Sequence, residues 1–529
     1  MAPRVLLTSV FKPFAVDDMY SRRKSIHELC HNQLTRAQGV FSPRTYHNTY
    51  GIHAIANNIE TPTTVLDFPT LKRFTKELEK GYDVIGISAI IPNFQKAKKM
   101  VEQAREISPR STVVIGGFCA SVPQIDKLME VDHICVGDGI SFMRELMGLS
   151  PEFEFKNPDV YADSRELFGV PLFGVSQNPH IVVGLGCSYG CDFCCVTHFF
   201  GRKHIRFYKH GRPLFEEMVR VKERFRTNSI VFIGDDNFLI DLKRAEELRQ
   251  CVVESGMMFR SFIFASADKV EKFGPEKLAE MGVDTVWIGR ESNLENYRKN
   301  EGINIPAMVD ELKDYGIKTI LSSILLLDCH TKDNITDDIN DHLSANPALS
   351  QFSHYSPAPG TVLYDRLWEE NRILAQIPYE EWHAFHQPWF IHPEFTLQEA
   401  EKVQDLAYER DFLELGPSIM RFAEVELRGW ERMKDSPKPH LRKRAEFFAR
   451  SMWQYRIICL ATMHLAPNQH VRELAGDILG RIETHFGKAS GFERATARGL
   501  QVTGRLRQWR TRHFGDALQP HTRLVKYNC

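Results

Sequence analysis

The sequence predicts an α/β chain in three parts: a doubly wound, Rossmann-like sheet domain, a partial, TIM-like (β/α)6 barrel, and a helical C-terminal region. Three observations carry that expectation. Short apolar runs ending in glycine recur in the first 150 residues, strand–helix units repeat between residues 170 and 394, and strand patterns stop near Phe395. A chain of 529 residues exceeds what one core organises, which predicts domains at 1–150, 170–394 and 395–529.

In the first part, Val5-Leu6-Leu7, Asp83 to Ser88, Val113 to Gly117 and Ile134 to Gly139 read as strands of a buried parallel sheet. Between them, Phe94 to Ile107 reads as a helix with Ala97, Val101 and Ala104 on one face. Glycines at the strand ends let a bulky ligand approach the carboxyl edge of such a sheet. Gly148 to Pro179, rich in proline and without periodicity, reads as a connector. A second alternating series follows, with strands near residues 181–184, 230–233, 262–265, 285–288, 319–327 and 352–355. Helices near 213–225, 242–254, 275–281, 306–315, 335–343 and 362–371 separate them, as in a parallel barrel with its chemistry at the C-terminal strand ends.

The last part reads as helices, with Phe448, Met452, Tyr455 and Cys459 at core spacing and Arg444, Arg450 and Arg456 alongside. From Leu441 to Cys529 there are 16 Lys and Arg against 6 Asp and Glu, a basic excess that suits a solvated face or contact with an anionic membrane surface. The whole chain, at a net charge of −1, has no basic stripe of the kind nucleic-acid binders carry, so no nucleic acid is expected as a partner. No run of eighteen apolar residues or secretory pattern appears, and eleven cysteines suit a reducing compartment, which predicts a cytoplasmic location.

The chemistry-bearing stretch is Gly184 to Cys195, which puts Cys187, Cys191 and Cys194 within eight residues directly after a strand. A four-iron cube takes one thiolate per iron, so three thiols without a fourth leave one iron open for catalysis. The same spacing also serves a zinc site completed by a distant His or Cys, or a group of inert buried thiols. Cys195 reads as a bystander.

Cys187, Cys191 and Cys194, with the aromatic Phe193 before the last, resemble the signature of the radical S-adenosylmethionine superfamily. The likeness extends along about 180 residues. Gly234-Asp235-Asp236 is similar to the segment that meets the methionine amino group, and Glu291-Ser292 resembles the cosubstrate-facing Glu-Ser. Pro357-Ala358-Pro359-Gly360-Thr361 is similar to the turn after the sixth strand. The resemblance implies a 4Fe-4S cluster that binds S-adenosyl-L-methionine and reduces it to a 5′-deoxyadenosyl radical. It also implies an electron donor such as flavodoxin or ferredoxin.

Residues 1–147 resemble the cobalamin-binding domain that precedes the barrel in one branch of this superfamily, through Asp83 to Ser88, Gly116 to Ser121 and Val136 to Gly139. The domain departs from the wider pattern in lacking Asp-x-His-x-x-Gly, so no histidine below cobalt is expected, while Gly116 and Gly117 are expected to line the corrin. The function so implied is a cobalamin-dependent C-methyltransferase acting on an unactivated carbon. The alternatives are a radical enzyme that rearranges, couples, cyclises or oxidises carbon without methylation, and a non-catalytic iron–sulfur protein. A small-molecule or lipid-like substrate is expected, with Trp382, Phe385, Trp389 and Phe390 as its candidate aromatic lining and Cys329 as a candidate hydrogen donor. His383, His386 and His392 read as packing residues.

Overall fold

The structure, a computed structural model, describes residues 3–22, 33–172, 177–225, 230–515 and 518–528. Five parallel strands form the N-terminal sheet in the order Thr63–Asp67, Val5–Ser9, Val84–Ser88, Thr112–Gly116 and His133–Ile134. Chain order reverses between Val5–Ser9 and Val84–Ser88, which opens a crevice at the carboxyl ends where doubly wound sheets take ligands. Val5–Ser9 is buried throughout because helices cover both faces, and Phe94–Ile107 turns Ala97, Met100, Val101 and Ala104 inward at helical spacing.

The second sheet curls into a partial barrel. Its six parallel strands run in chain order, Gln177–Val182, Val231–Gly234, Ser261–Phe264, Val283–Glu291, Lys318–Leu325 and Leu349–His354. One expectation is corrected here. The stretch read as a connector contributes the strand Val160–Leu167, antiparallel to Gln177–Val182, and Arg44–Tyr46 pairs along its other edge. Only three of its eight residues are fully buried, so it carries no apolar run to announce it.

Two strands cross the boundaries expected from sequence. Arg44–Tyr46 joins the barrel sheet, and Arg523–Tyr527 pairs antiparallel with Thr63–Asp67 at the edge of the N-terminal sheet. Between Leu397 and Phe514 the chain is helical, in Leu397–Leu415, Ser418–Met433, Pro439–Leu465, Gln469–Phe486 and Gly491–Phe514. None of the helices, among the described residues, is long and apolar enough to cross a membrane.

These helices close the N-terminal end of the barrel. Phe448, Met452, Tyr455 and Cys459 enter its core as their spacing predicts. Arg444, placed by the sequence on a solvated or lipid-facing side, is instead buried, because its guanidinium donates to the carbonyls of Val283 at 2.7 Å and Gly316 at 3.1 Å. Nearby, Lys318 reaches Glu426 at 2.8 Å and Asp284 at 3.3 Å, and Arg260 reaches Asp284 at 2.7 Å. The basic excess is thus partly internal: Arg456 pairs with Glu493 and Arg507 with Glu166.

Candidate active site

The cysteine loop leaves the short strand Gly184–Leu185 and ends at the helix Cys195–Phe199. Gly186 stands at φ +78°, where a side chain would run into the Lys203 carbonyl and the Phe200 ring, so only glycine lets the loop turn here. Its N–H donates to Asp236 Oδ2 at 2.6 Å, and Thr197 donates to the Cys187 carbonyl at 2.5 Å. Asp192 accepts from the Tyr355 hydroxyl at 3.0 Å, and Phe193 meets Tyr297 and Tyr355 edge-on. These contacts place Cys187, Cys191 and Cys194 on the wall of one cavity of about 500 Å³ at the barrel mouth.

The fourth barrel strand supplies the opposite wall. A register shift between Gly289 and Glu291 marks a bulge, with Glu291 at φ +62°. The bulge sends successive side chains to opposite sides. Arg290 is buried against Asp338 at 2.7 Å and Asp341 at 2.6 Å, while Glu291 enters the cavity and accepts from Lys299. Burial alone would lower the Lys299 ammonium's pKa, but Glu291, Cys191 and Cys194 hold it above its ordinary value. Burial pushes all three thiols up, Cys194 to about 11, so their deprotonation needs nearby positive charge such as Lys299 or a metal.

Three thiols on one loop, with the partly buried Lys299 ammonium beside them, are a donor set that fits an iron–sulfur cube. On the cavity floor the Trp287 indole N–H donates to Ser322 Oγ, which donates to Gln351 Oε1 at 3.0 Å. Because an indole can only donate, the serine proton is the one that meets the amide oxygen, and the Gln351 NH₂ is turned away from it.

A second cavity, about 360 Å³ and largely apolar, lies between the N-terminal sheet and the barrel. Ser88, Gly116, Gly117, Gly137 and Asp138 edge it at the strand ends, and Leu7, Ile55 and Met143 back it. Gly117 stands at φ +74°, and a Cβ there would lie 2.5 Å from the Ala89 carbonyl oxygen. His180, held neutral by burial, also lines the cavity, and its buried Nδ1 has no hydrogen-bond partner among the described residues. An open glycine edge, apolar backing and an unmatched polar atom fit a large cofactor with polar groups on its rim. The two cavities share Asp236 and Phe264, and Phe118 packs on Phe199 of the helix after the cysteine loop.

Of the residues singled out by sequence, Cys187, Cys191, Cys194, Phe193, Asp236 and Glu291 line the cluster-side cavity. Gly116, Gly117, Gly234 and Asp235 line the second one, and Ser292 lines neither, its hydroxyl accepting from Leu294 N. Asp235 is tied up: burial would raise its pKa, but His204 at 3.1 Å and Arg244 at 2.7 Å hold it down. Asp236, by contrast, is pushed up to about 6 by burial and by Asp235. Gly234 leaves room for the His180 ring, which a Cβ would strike.

The aromatic lining proposed for a substrate is core instead. Trp382 and Trp389 stack at 4.1 Å within the core of the N-terminal sheet, and Phe390 packs beside the sixth strand. Cys329 lines neither cavity; burial and Glu295 push its thiol to about 12. His383 and His392 accept from backbone N–H groups two residues on, and His386 pairs with Glu381. The sequence reading missed Lys299 and Gln351, a lysine in a polar loop and a glutamine on a strand, neither of which belongs to a motif.

Residues 46–147 match the B12 binding domain family. The chain is 24% identical over 392 residues to an uncharacterised methyltransferase of Pyrococcus horikoshii, spanning 65% of this chain and 81% of that one. It is 25% identical over 226 residues to the hopanoid C-2 methylase of Rhodopseudomonas palustris, spanning 39% and 42%. Its fold is similar to that of the radical S-adenosylmethionine methyltransferase TsrM of Kitasatospora setae, solved with cobalamin and a [4Fe-4S] cluster bound. The TM-score is 0.51 at 12% identity, covering 85% of this chain and 99% of that one. With the cysteine loop at a barrel mouth and a domain matching the B12 binding family packed against it, the chain is similar in sequence and in fold to radical S-adenosylmethionine methyltransferases that bind cobalamin.

Proposed function

We propose that this enzyme transfers a methyl group to an unactivated carbon of a small, largely apolar molecule. The observation that carries this reading is the wall shared by the two cavities at Asp236 and Phe264, since methyl donor and radical source must both reach one substrate carbon. When bound, the cluster with S-adenosylmethionine supplies a carbon radical, and cobalamin supplies the methyl group.

The division of labour follows 1–150 for the corrin, 170–394 for the radical chemistry and 395–529 for the supporting helices. Cys187, Cys191 and Cys194 hold the cluster, and Asp236 fixes their loop through the Gly186 N–H. Glu291 offers its carboxylate to the methionine end of the cosubstrate, held at that wall by Lys299. Phe193 covers the cluster, and Gly116 and Gly117 line the corrin. Asp235 and Ser292 act at one remove, by bracing the second and fourth strand ends. The Gln351 NH₂ is offered to an oxygen on the substrate. A one-electron donor of flavodoxin or ferredoxin type, in a cytoplasmic setting, supplies the electron.

Reconstituted enzyme given cobalamin, a low-potential reductant and methyl-deuterated S-adenosylmethionine is expected to form labelled methylcobalamin and 5′-deoxyadenosine. Release of 5′-deoxyadenosine with cobalamin left unmethylated would leave radical chemistry without methylation, and absence of both products would leave a non-catalytic iron–sulfur protein. Gly117→Val is expected to weaken hydroxocobalamin binding at least tenfold, about 1.4 kcal/mol, at unchanged iron content. A visible-absorbance titration matching wild type would remove Gly117 from the corrin site.

A further inference from the structure

The helix Gly491–Phe514 carries an apolar face turned to solvent. Phe492, Val502, Leu506, Trp509 and Phe514 are 71%, 59%, 62%, 56% and 70% exposed. The helix does not need these side chains for packing, because Glu493, Ala497 and Gly504 form its buried side. At ~100° per residue, Val502, Leu506 and Trp509 fall within about 60° of arc. Arg494, Arg498, Arg505 and Arg512 form a row within about 40° along one flank, and Arg510 lies on the other. All five arginines are exposed, and among the described residues none is in an ion pair. The only acid on the helix, Glu493, is turned inward to Arg456 at 2.6 Å.

We propose that this face seats the protein on an anionic lipid bilayer, with Val502, Leu506 and Trp509 at the headgroup–acyl boundary and the arginine row against lipid phosphates. Charge decides among the possible occupants. A second copy docked on the same stripe would bring arginine rows together with no exposed acid on the helix to relieve them. A bilayer accepts an apolar stripe and a flanking cationic row at once, and a tryptophan beside arginines suits the interfacial layer. This surface is separate from both cavities, so its role stands or falls independently of methyl transfer.

The test uses the full chain, purified anaerobically and loaded with cluster and cobalamin, and vesicles of phosphatidylcholine with or without phosphatidylglycerol. Co-sedimentation is expected only with phosphatidylglycerol, strongest at low salt, with a blue shift in tryptophan fluorescence. Leu506→Glu/Trp509→Glu is expected to abolish binding. Arg498→Gln/Arg505→Gln, which leaves the stripe intact, is expected to weaken it by roughly fivefold per arginine. Both pairs are exposed, so thermal melting should match wild type. The proposal is overturned by equal binding to neutral vesicles, by no binding to anionic ones, or by variants that bind as wild type does. A dimer in sedimentation velocity that Leu506→Glu dissociates, without vesicle binding, would likewise overturn it in favour of a second copy.

Discussion

Cys191→Ala protein, reconstituted with iron and sulfide, is expected to lose the cluster's visible absorbance and paramagnetic signal. Its release of 5′-deoxyadenosine should fall at least ~1000-fold, about 4 kcal/mol of barrier. With only three thiols on the loop there is no spare ligand, and removing one frees a second corner of the cube. Cys195 lines the same cavity but opens the following helix, and burial pushes its thiol to about 12. Cys195→Ala is therefore expected to keep the cluster. A cluster that survives in Cys191→Ala and disappears in Cys195→Ala would make Cys195, and not Cys191, one of the three ligands.

Asp284→Ala is expected to cost about 3–5 kcal/mol of stability, seen as a lower denaturant midpoint, because it strips a buried carboxylate from Lys318, Arg260 and Arg444 at the seam between barrel and helices. Burial by itself would raise the Asp284 pKa, and these three cations together hold it well below the ordinary carboxylate range. Its stabilisation is complete above the unfolded-state value near pH ~4. As pH falls further, the unfolded chain takes up a proton before the folded one does, and that stability is lost. The variant should accordingly show a shallower loss of stability on acidification than wild type. An equal midpoint and an equal acid limb would show that the network is solvated.

Much of the architecture was legible because it rests on local patterns. Continuous apolar runs mark several of the sheet strands, since a strand buried on both faces has no polar alternation to confuse the reading. The cysteine loop could be read from spacing, because ligands contributed by one short loop are close in sequence and in space. Where side chains depend on distant partners, the sequence was silent. Asp235 and Asp236 are adjacent and alike in chemistry, yet Arg244 and His204 claim one while the Gly186 N–H meets the other.

By itself, then, the sequence marked most of the parallel strands, the thiol loop and the glycine edges, all set by contacts within a few residues. Tertiary structure decided which carboxylate faces the cavity, through a bulge that sends Arg290 one way and Glu291 the other. It also decided that Lys299 stands beside the thiols, that Arg444 is internal, and that each sheet borrows a strand from beyond its own segment. The physical reason is that burial and ion pairing depend on what the fold brings together across hundreds of residues, and no local pattern records those partners.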